Sequence, residues 1–571
     1  KAFALRRPSS VDMEKWSERA MDLARSTGDI ALRFSLVIKV AYHCFHGGDL
    51  QALGLHLESL RGLSRDPEIT PLSRLELCWL EAGHANLTGE HDRCRKVVAE
   101  GLALSEATGI HLMDFLLMGH GALCNLHLGD LKSAEGFLRK MASALPQTRP
   151  WKAAFYHYLA SWEALHRGNQ AQAMFHSDHC LALCTEFGNP WTEALARLQR
   201  AFVLDRKGEA AEASRQLEHA LRIGEESRMQ FIRFISLLAK ADFSLRKGDE
   251  EDGLASLREG LRAGREKGYV DIYLWIPGLL ERIAAEALER GIETDYVRDL
   301  IRKNALVPDD AIHYTEDWPW PLKIYTMGRF ALVRDGERIP FPRRAQQRPL
   351  QMLKALIAMG GRNVSKEHLT EVLWADAEGD MAEQSFTTTL SRLRKLLGNE
   401  KALILSDGRL TLSNRHCWVD VWAFERTLGE CISAECWGGK LGKREADCTR
   451  LVEKAIAIYQ GPFLDGETFC SCLETSRERL RSKFLRCVEA AGSHLEKKGQ
   501  WENALAYYQR GLEVDELAEG FYRRQMICHQ KLGQVAEGLA VYRRCKKTLA
   551  SVLGVEPSSK TEAVRKPLLT R

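Results

Sequence analysis

Between residues 382 and 397 the sequence reads AEQSFTTTLSRLRKLL. At about 100° per residue, Phe386, Leu390, Leu393 and Leu397 fall on one side of a predicted helix. Gln384, Thr388, Ser391, Arg392 and Lys395 fall on the other. The first set asks for a core. The second carries amide, hydroxyl, guanidinium and ammonium groups on a rigid rod. Such groups suit the edges of base pairs, which present a donor and acceptor code in the major groove. Cations on the flanks suit phosphates. Solvent alone also selects polar helix faces, so the neighbouring elements must decide between the two readings.

Those elements are legible. The prolines of DWPWP (317–321) stop a helical pattern and mark a boundary. Leu322, Ile324, Phe330, Leu332 and Val333 then read as strands, with Asp335-Gly336 as a hairpin turn. Three helices follow, at about 345–359, at 365–374 with Ser365 as N-cap, and at 382–397. After Gly398, LILS, the turn Asp407-Gly408 and RLTLS make a second hairpin. Residues 321–420 hold 16 Lys and Arg against 11 Asp and Glu, while the whole chain carries only +4. The positive excess therefore sits around this helix.

Strands, three helices and a hairpin in this order resemble the OmpR-type winged helix. The resemblance implies that the second helix crosses the phosphate backbone and the third enters the major groove. The hairpin is then the wing, with Arg409 beside its tip near the minor groove. It also implies basic contacts from Arg392, Arg394 and Lys395. Gln384, Ser385, Thr388 and Ser391 are the candidates for base-edge or nearby contacts. Ser391 stands where some OmpR-type domains have Arg, so one phosphate contact is expected to be missing. A winged helix used for protein contact is the alternative.

Ahead of this module the chain repeats itself. Gly plus an acidic or amide residue recurs at Gly48-Asp49, Gly89-Glu90, Gly129-Asp130, Gly168-Asn169, Gly208-Glu209 and Gly248-Asp249, about every 40 residues. Small residues follow five positions after most of these glycines: Cys94, Ala134, Ala173, Ala213 and Gly253. A helix-ending Gly followed by a close-packing small residue is the logic of stacked helix pairs, which form an α-solenoid with a concave surface. The array resembles the long-period tetratricopeptide-type repeats of MalT-like bacterial regulators. His176, His179, Cys180 and Cys184 have helical spacing that suits a metal. However, Cys180 and Cys184 occupy the slots of Ala220 and Gly224 one repeat later, so packing is the preferred reading and no metal is assigned. Trp151, Tyr156, Tyr158, Trp162 and Trp191 are read as core, with a ligand platform as the alternative.

After 418–425 (WVDVWAFE) a second helical array begins. Gly499-Gln500 and Gly533-Gln534 are one ordinary tetratricopeptide period apart; Ala504, Tyr508 and Leu512 fill one repeat, Gly538 and Tyr542 the next. The stretches 451–467, 504–524 and 540–561 resemble the bacterial transcriptional activator domain, which follows a winged helix in Streptomyces antibiotic regulatory proteins. Segment 429–450 is read as a loop. Cys470 and Cys472 are read as a reduced surface pair, with a redox switch as the alternative.

A chain of 571 residues, 45% hydrophobic and 28% charged, is a soluble multidomain protein. No run is long and apolar enough for a bilayer and no secretory leader is seen, so a cytoplasmic location is expected. Scattered cysteines suit a reducing compartment. The chain opens on Lys1, and further chain ahead of it is expected. No phosphate-cradling, nucleophile-elbow or zinc-protease motif occurs, so no enzyme and no cofactor are assigned. The expected architecture is mainly α: a solenoid over 1–315, a winged helix over 316–425 and an activator-type helical domain over 426–571. The expected function is sequence-specific transcription activation. Double-stranded promoter DNA, RNA polymerase, a second copy on DNA, and a small-molecule or protein effector on the solenoid are the expected partners. An α-solenoid scaffold that docks proteins through the winged helix is the alternative.

Overall fold

The computed structural model describes residues 11–270, 278–308, 315–340, 347–375, 379–433 and 443–569. It is mainly α and divides into two compact units, 1–312 and 313–571.

The first unit is a run of antiparallel helices. After α1 (Val11–Ser26) come the pairs α2/α3 (Ile30–Gly47, Leu50–Leu63), α4/α5 (Pro71–Leu87, His91–Thr108) and α6/α7 (Asp114–His127, Leu131–Ala144). The pairs α8/α9 (Pro150–His166, Gln170–Phe187), α10/α11 (Pro190–Lys207, Ala210–Glu226), α12/α13 (Gln230–Lys247, Glu250–Lys267) and α14/α15 (Leu279–Glu289, Thr294–Lys303) follow. The recurring dipeptide does two jobs. At the end of α2, Gly48 takes φ +81° and Asp49 N–H reaches back to the Cys44 carbonyl, so the helix closes in a left-handed turn. Asp49 then accepts from Ala52 N–H and caps α3. Asp130, Asn169 and Asp249 cap their helices in the same way. The small positions Cys94, Ala134, Ala173, Ala213 and Gly253 are buried. A Cβ at Gly253 would stand 2.7 Å from Leu245, which shows how closely α12 and α13 approach.

The array also meets itself. Phe45 and His46 of α2 lie against Trp191 of α10, with ring centroids 6.2 and 5.6 Å apart. Trp191 stacks on Phe231, and Phe231 meets Tyr269 edge to face. The Tyr269 hydroxyl donates to the Gly48 carbonyl at 2.7 Å, closing a contact across 221 residues. Trp162, Tyr158 and Trp191 are buried, as the core reading requires, while Trp151 and Tyr156 are half-buried. Cys180 and Cys184 are buried packing residues and His179 is exposed.

In the second unit, β1 (Leu322–Tyr325), β2 (Ala331–Arg334) and β3 (Glu337–Arg338) form an antiparallel sheet, and β7 (Cys417–Val419) joins β1 in parallel. The residues at the linker prolines fold into this unit: Trp318 and Trp320 are buried, and Trp320 Nε1 donates to the Thr315 carbonyl. Helices α16 (Gln347–Ala358), α17 (Lys366–Leu373) and α18 (Gly379–Leu397) come next. The wing is β5 (Leu403–Ser406) and β6 (Arg409–Leu412), with β4 (Val364–Ser365) on the outer side of β6. Its turn residues Asp407 and Gly408 both take positive φ, +50° and +69°, the geometry of a tight hairpin.

Among the described residues, seven helices follow: α19 (Asp420–Ser433), α20 (Lys443–Ile458), α21 (Ser471–Lys497), α22 (Trp501–Val514), α23 (Glu519–Lys531), α24 (Val535–Leu553) and α25 (Ser559–Leu569). Segment 429–450 is thus helical on both sides of residues 434–442, which lie outside the described residues. Its Gly and Lys content masked an apolar spacing carried by Cys431 within it and by Leu428 and Val452 at its flanks, all buried. One continuous core runs from Leu322, Leu353 and Leu393 through Phe424 and Tyr459 to Tyr508 and Leu549.

Candidate nucleic-acid interface

Helix α18 has one buried face and one exposed face. Phe386, Leu390, Leu393 and Leu397 are all under 5% exposed and seat the helix on the core. Gln384, Thr388, Ser391, Arg392 and Lys395 are exposed. Among the described residues none of their side chains makes a hydrogen bond or ion pair. The helix starts at Gly379, three residues before the predicted 382, because Asp380 and Met381 continue the same turn.

Two candidates are held differently. Ser385 is half-buried at the margin of the face. Arg394 is also half-buried, and its guanidinium donates to the Leu403 carbonyl at 3.1 Å, so it ties α18 to the wing. Arg409 is exposed at the start of β6 and donates to the Asn363 carbonyl at 2.9 Å. That bond steadies the wing base while leaving the guanidinium at the surface. Sequence reading missed Thr387, which is exposed on the same face. Its spacing of four from Ser391 and eight from Lys395 was the signal.

The neighbours fix the helix. Ser365 caps α17 by accepting from His368 N–H, as expected. Lys366 N–H donates to the Gly408 carbonyl, which pins the wing turn to α17. The Lys366 ammonium pairs with Glu383 and lies 5.5 Å from the Phe386 ring centre. The pair joins the two helices of the motif.

Behind the site, the Asp420 carboxylate holds the sheet to the helical array. It is buried and accepts from Thr326 N–H at 2.6 Å, Met327 N–H at 2.8 Å, Val421 N–H at 2.7 Å and the Thr326 hydroxyl at 2.5 Å. Burial pushes its pKa up to about 6, against the pull of those donors.

The fold is a winged helix whose third helix, α18, shares one core with the helices that follow it. Residues 419–569 match the family described as bacterial transcriptional activator domain. The chain is 25% identical over 232 residues to the regulatory protein AfsR of Streptomyces griseus, covering 39% of this chain and 22% of AfsR. It is 24% identical over 251 residues to the transcriptional regulatory protein EmbR of Mycobacterium tuberculosis, covering 43% of this chain and 62% of EmbR. The chain therefore spans less than a quarter of AfsR and under two thirds of EmbR. Among solved structures, M. tuberculosis EmbR in complex with a low-affinity phosphopeptide aligns with a TM-score of 0.35 at 20% identity, over 44% of this chain and 65% of that one. No described helix is long and apolar enough to cross a membrane.

Proposed function

We propose that this chain is a transcription regulator that binds double-stranded promoter DNA through α18 and the wing. The observation that carries the reading is the face of Gln384, Thr388, Ser391, Arg392 and Lys395, exposed and unpaired among the described residues on a helix whose other face is locked in the core. Arg392 and Lys395 supply phosphate contacts, and Gln384, Thr388 and Ser391 face base edges. Arg394 acts from within, by aligning helix and wing. A single winged helix reads few base pairs, so two copies on paired half-sites follow, with the activator-type helices meeting RNA polymerase. An effector of small-molecule or protein kind acts on the helical array of the first unit. The reading is that of an activator and not of an enzyme, working on the three-module division at 1–315, 316–425 and 426–571.

The test is selection from randomised duplex DNA at two salt concentrations, beside Arg392→Ala and Thr388→Ala. A repeated motif is expected. Arg392→Ala should weaken all sequences alike and flatten the dependence of log affinity on log salt by about 1. Thr388→Ala should keep affinity for bulk DNA and relax the preference at one position. Retention without any motif, or none at low salt, overturns the assignment of α18 as a sequence reader.

A further inference from the structure

The strip 459–470 is where the helical array grips the winged helix. Leu464 N–H donates to the Thr326 carbonyl at 2.7 Å and Gly328 N–H to the Pro462 carbonyl at 2.9 Å. Glu467 pairs with Lys354 of α16, and Arg477 of α21 donates to the carbonyls of Phe463, Leu464 and Glu467. Ser476 of α21 donates to the Ala358 carbonyl at the end of α16. The strip ends at Cys470, which precedes the first residue of the 27-residue helix α21. There the expected reduced pair is instead joined: Cys470 and Cys472 form a disulfide across Ser471. The sequence spacing left both states open, and only the fold brings the two sulfurs together at a helix start.

Among the described cysteines these two are the pair that is joined, and they share partial exposure with Cys44, Cys78 and Cys487. Both are half-buried and solvent reaches them. Burial pushes the thiols of Cys44, Cys78, Cys487 and Cys528 up to about 12 and those of Cys431 and Cys545 up to about 11, which keeps them protonated and poorly nucleophilic. Two further close pairs, Cys94 with Cys124 and Cys180 with Cys184, are at most 2% exposed, out of reach of an oxidant in water. Cys470 immediately precedes α21 and Cys472 lies in its first turn, two residues on, so the two sulfurs are within bonding reach of each other.

We propose that Cys470-Ser471-Cys472 is a reversible two-electron modification site whose oxidant is a hydroperoxide and whose reductant is a thiol. In the oxidising direction one thiolate attacks the terminal peroxide oxygen. The O–O bond breaks, the alcohol (water, for hydrogen peroxide) leaves with a proton, and a sulfenic acid forms. The second thiol attacks that sulfur, the S–S bond forms and water leaves. In the reverse direction two external thiols release both cysteines by exchange and are themselves oxidised to a disulfide. The disulfide closes the first turn of α21 onto the end of the strip; the dithiol frees that end.

The test uses the whole chain, reduced with dithiothreitol, cleared of it, and exposed to graded hydrogen peroxide. Remaining thiols are alkylated and mapped by mass spectrometry. The peptide holding Cys470 and Cys472 is expected to lose both labels at a peroxide dose at least tenfold below that for any other cysteine, and to regain them after dithiothreitol. Amide exchange over 459–470 should rise several-fold in the reduced chain. Cys472→Ser should stop at a sulfenic acid on Cys470 that dimedone traps. Retention of both labels while other cysteines oxidise, prior loss at Cys94 and Cys124, or a loss that dithiothreitol does not reverse each overturns the proposal. None of these readouts depends on DNA binding.

Discussion

The Asp420 carboxylate and the His120 imidazole are both buried, and acid acts on them in opposite senses. Asp420 has a folded pKa of about 6 against an ordinary 3.8, so the fold holds its proton more tightly than the unfolded chain does. Its contribution is fully present below the unfolded value and is lost as pH rises from about 4 through 6. Asp420→Asn turns one acceptor oxygen into a donor facing the N–H groups of Thr326 and Met327. It is expected to cost about 3 kcal/mol at neutral pH, read from amide exchange of β1 in urea. His120 is 4% exposed, accepts from Asn86 Nδ2 through Nδ1 at 3.3 Å, and is held neutral by burial, with its pKa down at about 4 from 6.5. Below pH 6.5 the unfolded chain takes a proton that the folded chain refuses, so stability falls as pH drops toward 4. Between pH 7 and 5 this one group should remove about 2 kcal/mol from the first unit. Urea unfolding at the two pH values measures the slope, and a chain carrying His120→Leu should show a shallower one whatever its absolute stability.

At the scale of elements, α18 separates a buried seat from the exposed face proposed to meet DNA. Leu393 is fully buried in the core, so Leu393→Ala should cost about 3 kcal/mol and lose DNA binding together with stability. Thr388 is exposed, so Thr388→Ala should leave the unfolding midpoint within about 0.5 kcal/mol of the parent while changing base preference. Parallel urea and binding curves on the two variants check the split. The amphipathic period of 382–397, the turn pairs Asp335-Gly336 and Asp407-Gly408, and the Ser365 cap were legible because each is set by residues within one turn or hairpin. Arg394 was not: whether a helical arginine faces outward or reaches the Leu403 carbonyl depends on where the wing packs. For the same reason the Lys366–Glu383 pair and the Asp420 network were invisible, since both join residues far apart in sequence. In 429–450 the fault was different. Gly and Lys suggested a loop, but burial of Cys431, with Leu428 and Val452 on its flanks, overrides that local tendency.

At the scale of whole units, the winged helix and the helices after it share one core, with Lys354, Ser476 and the strip 459–470 crossing between them. A fragment of residues 316–425 should therefore expose the apolar patch that Tyr459, Phe463 and Phe484 cover. It is expected to be cleaved by protease at least tenfold faster than the same residues within 313–571. Equal resistance would show that the winged helix stands alone. The first unit has its own version of the same dependence. Stacked helix pairs ordinarily touch only their neighbours, and such arrays gain and lose repeats one at a time. Here the Tyr269 hydroxyl reaches the Gly48 carbonyl, and Phe45 reaches Trp191, so the ends of a stretch of more than 200 residues are tied. Those ties form only after the intervening chain has been drawn together, an entropic toll that slows folding. Between Gly48 and Tyr269, loss of one repeat at a time is also opposed until these ties open. An array of locally folded pairs thereby becomes a slow, all-or-none folder.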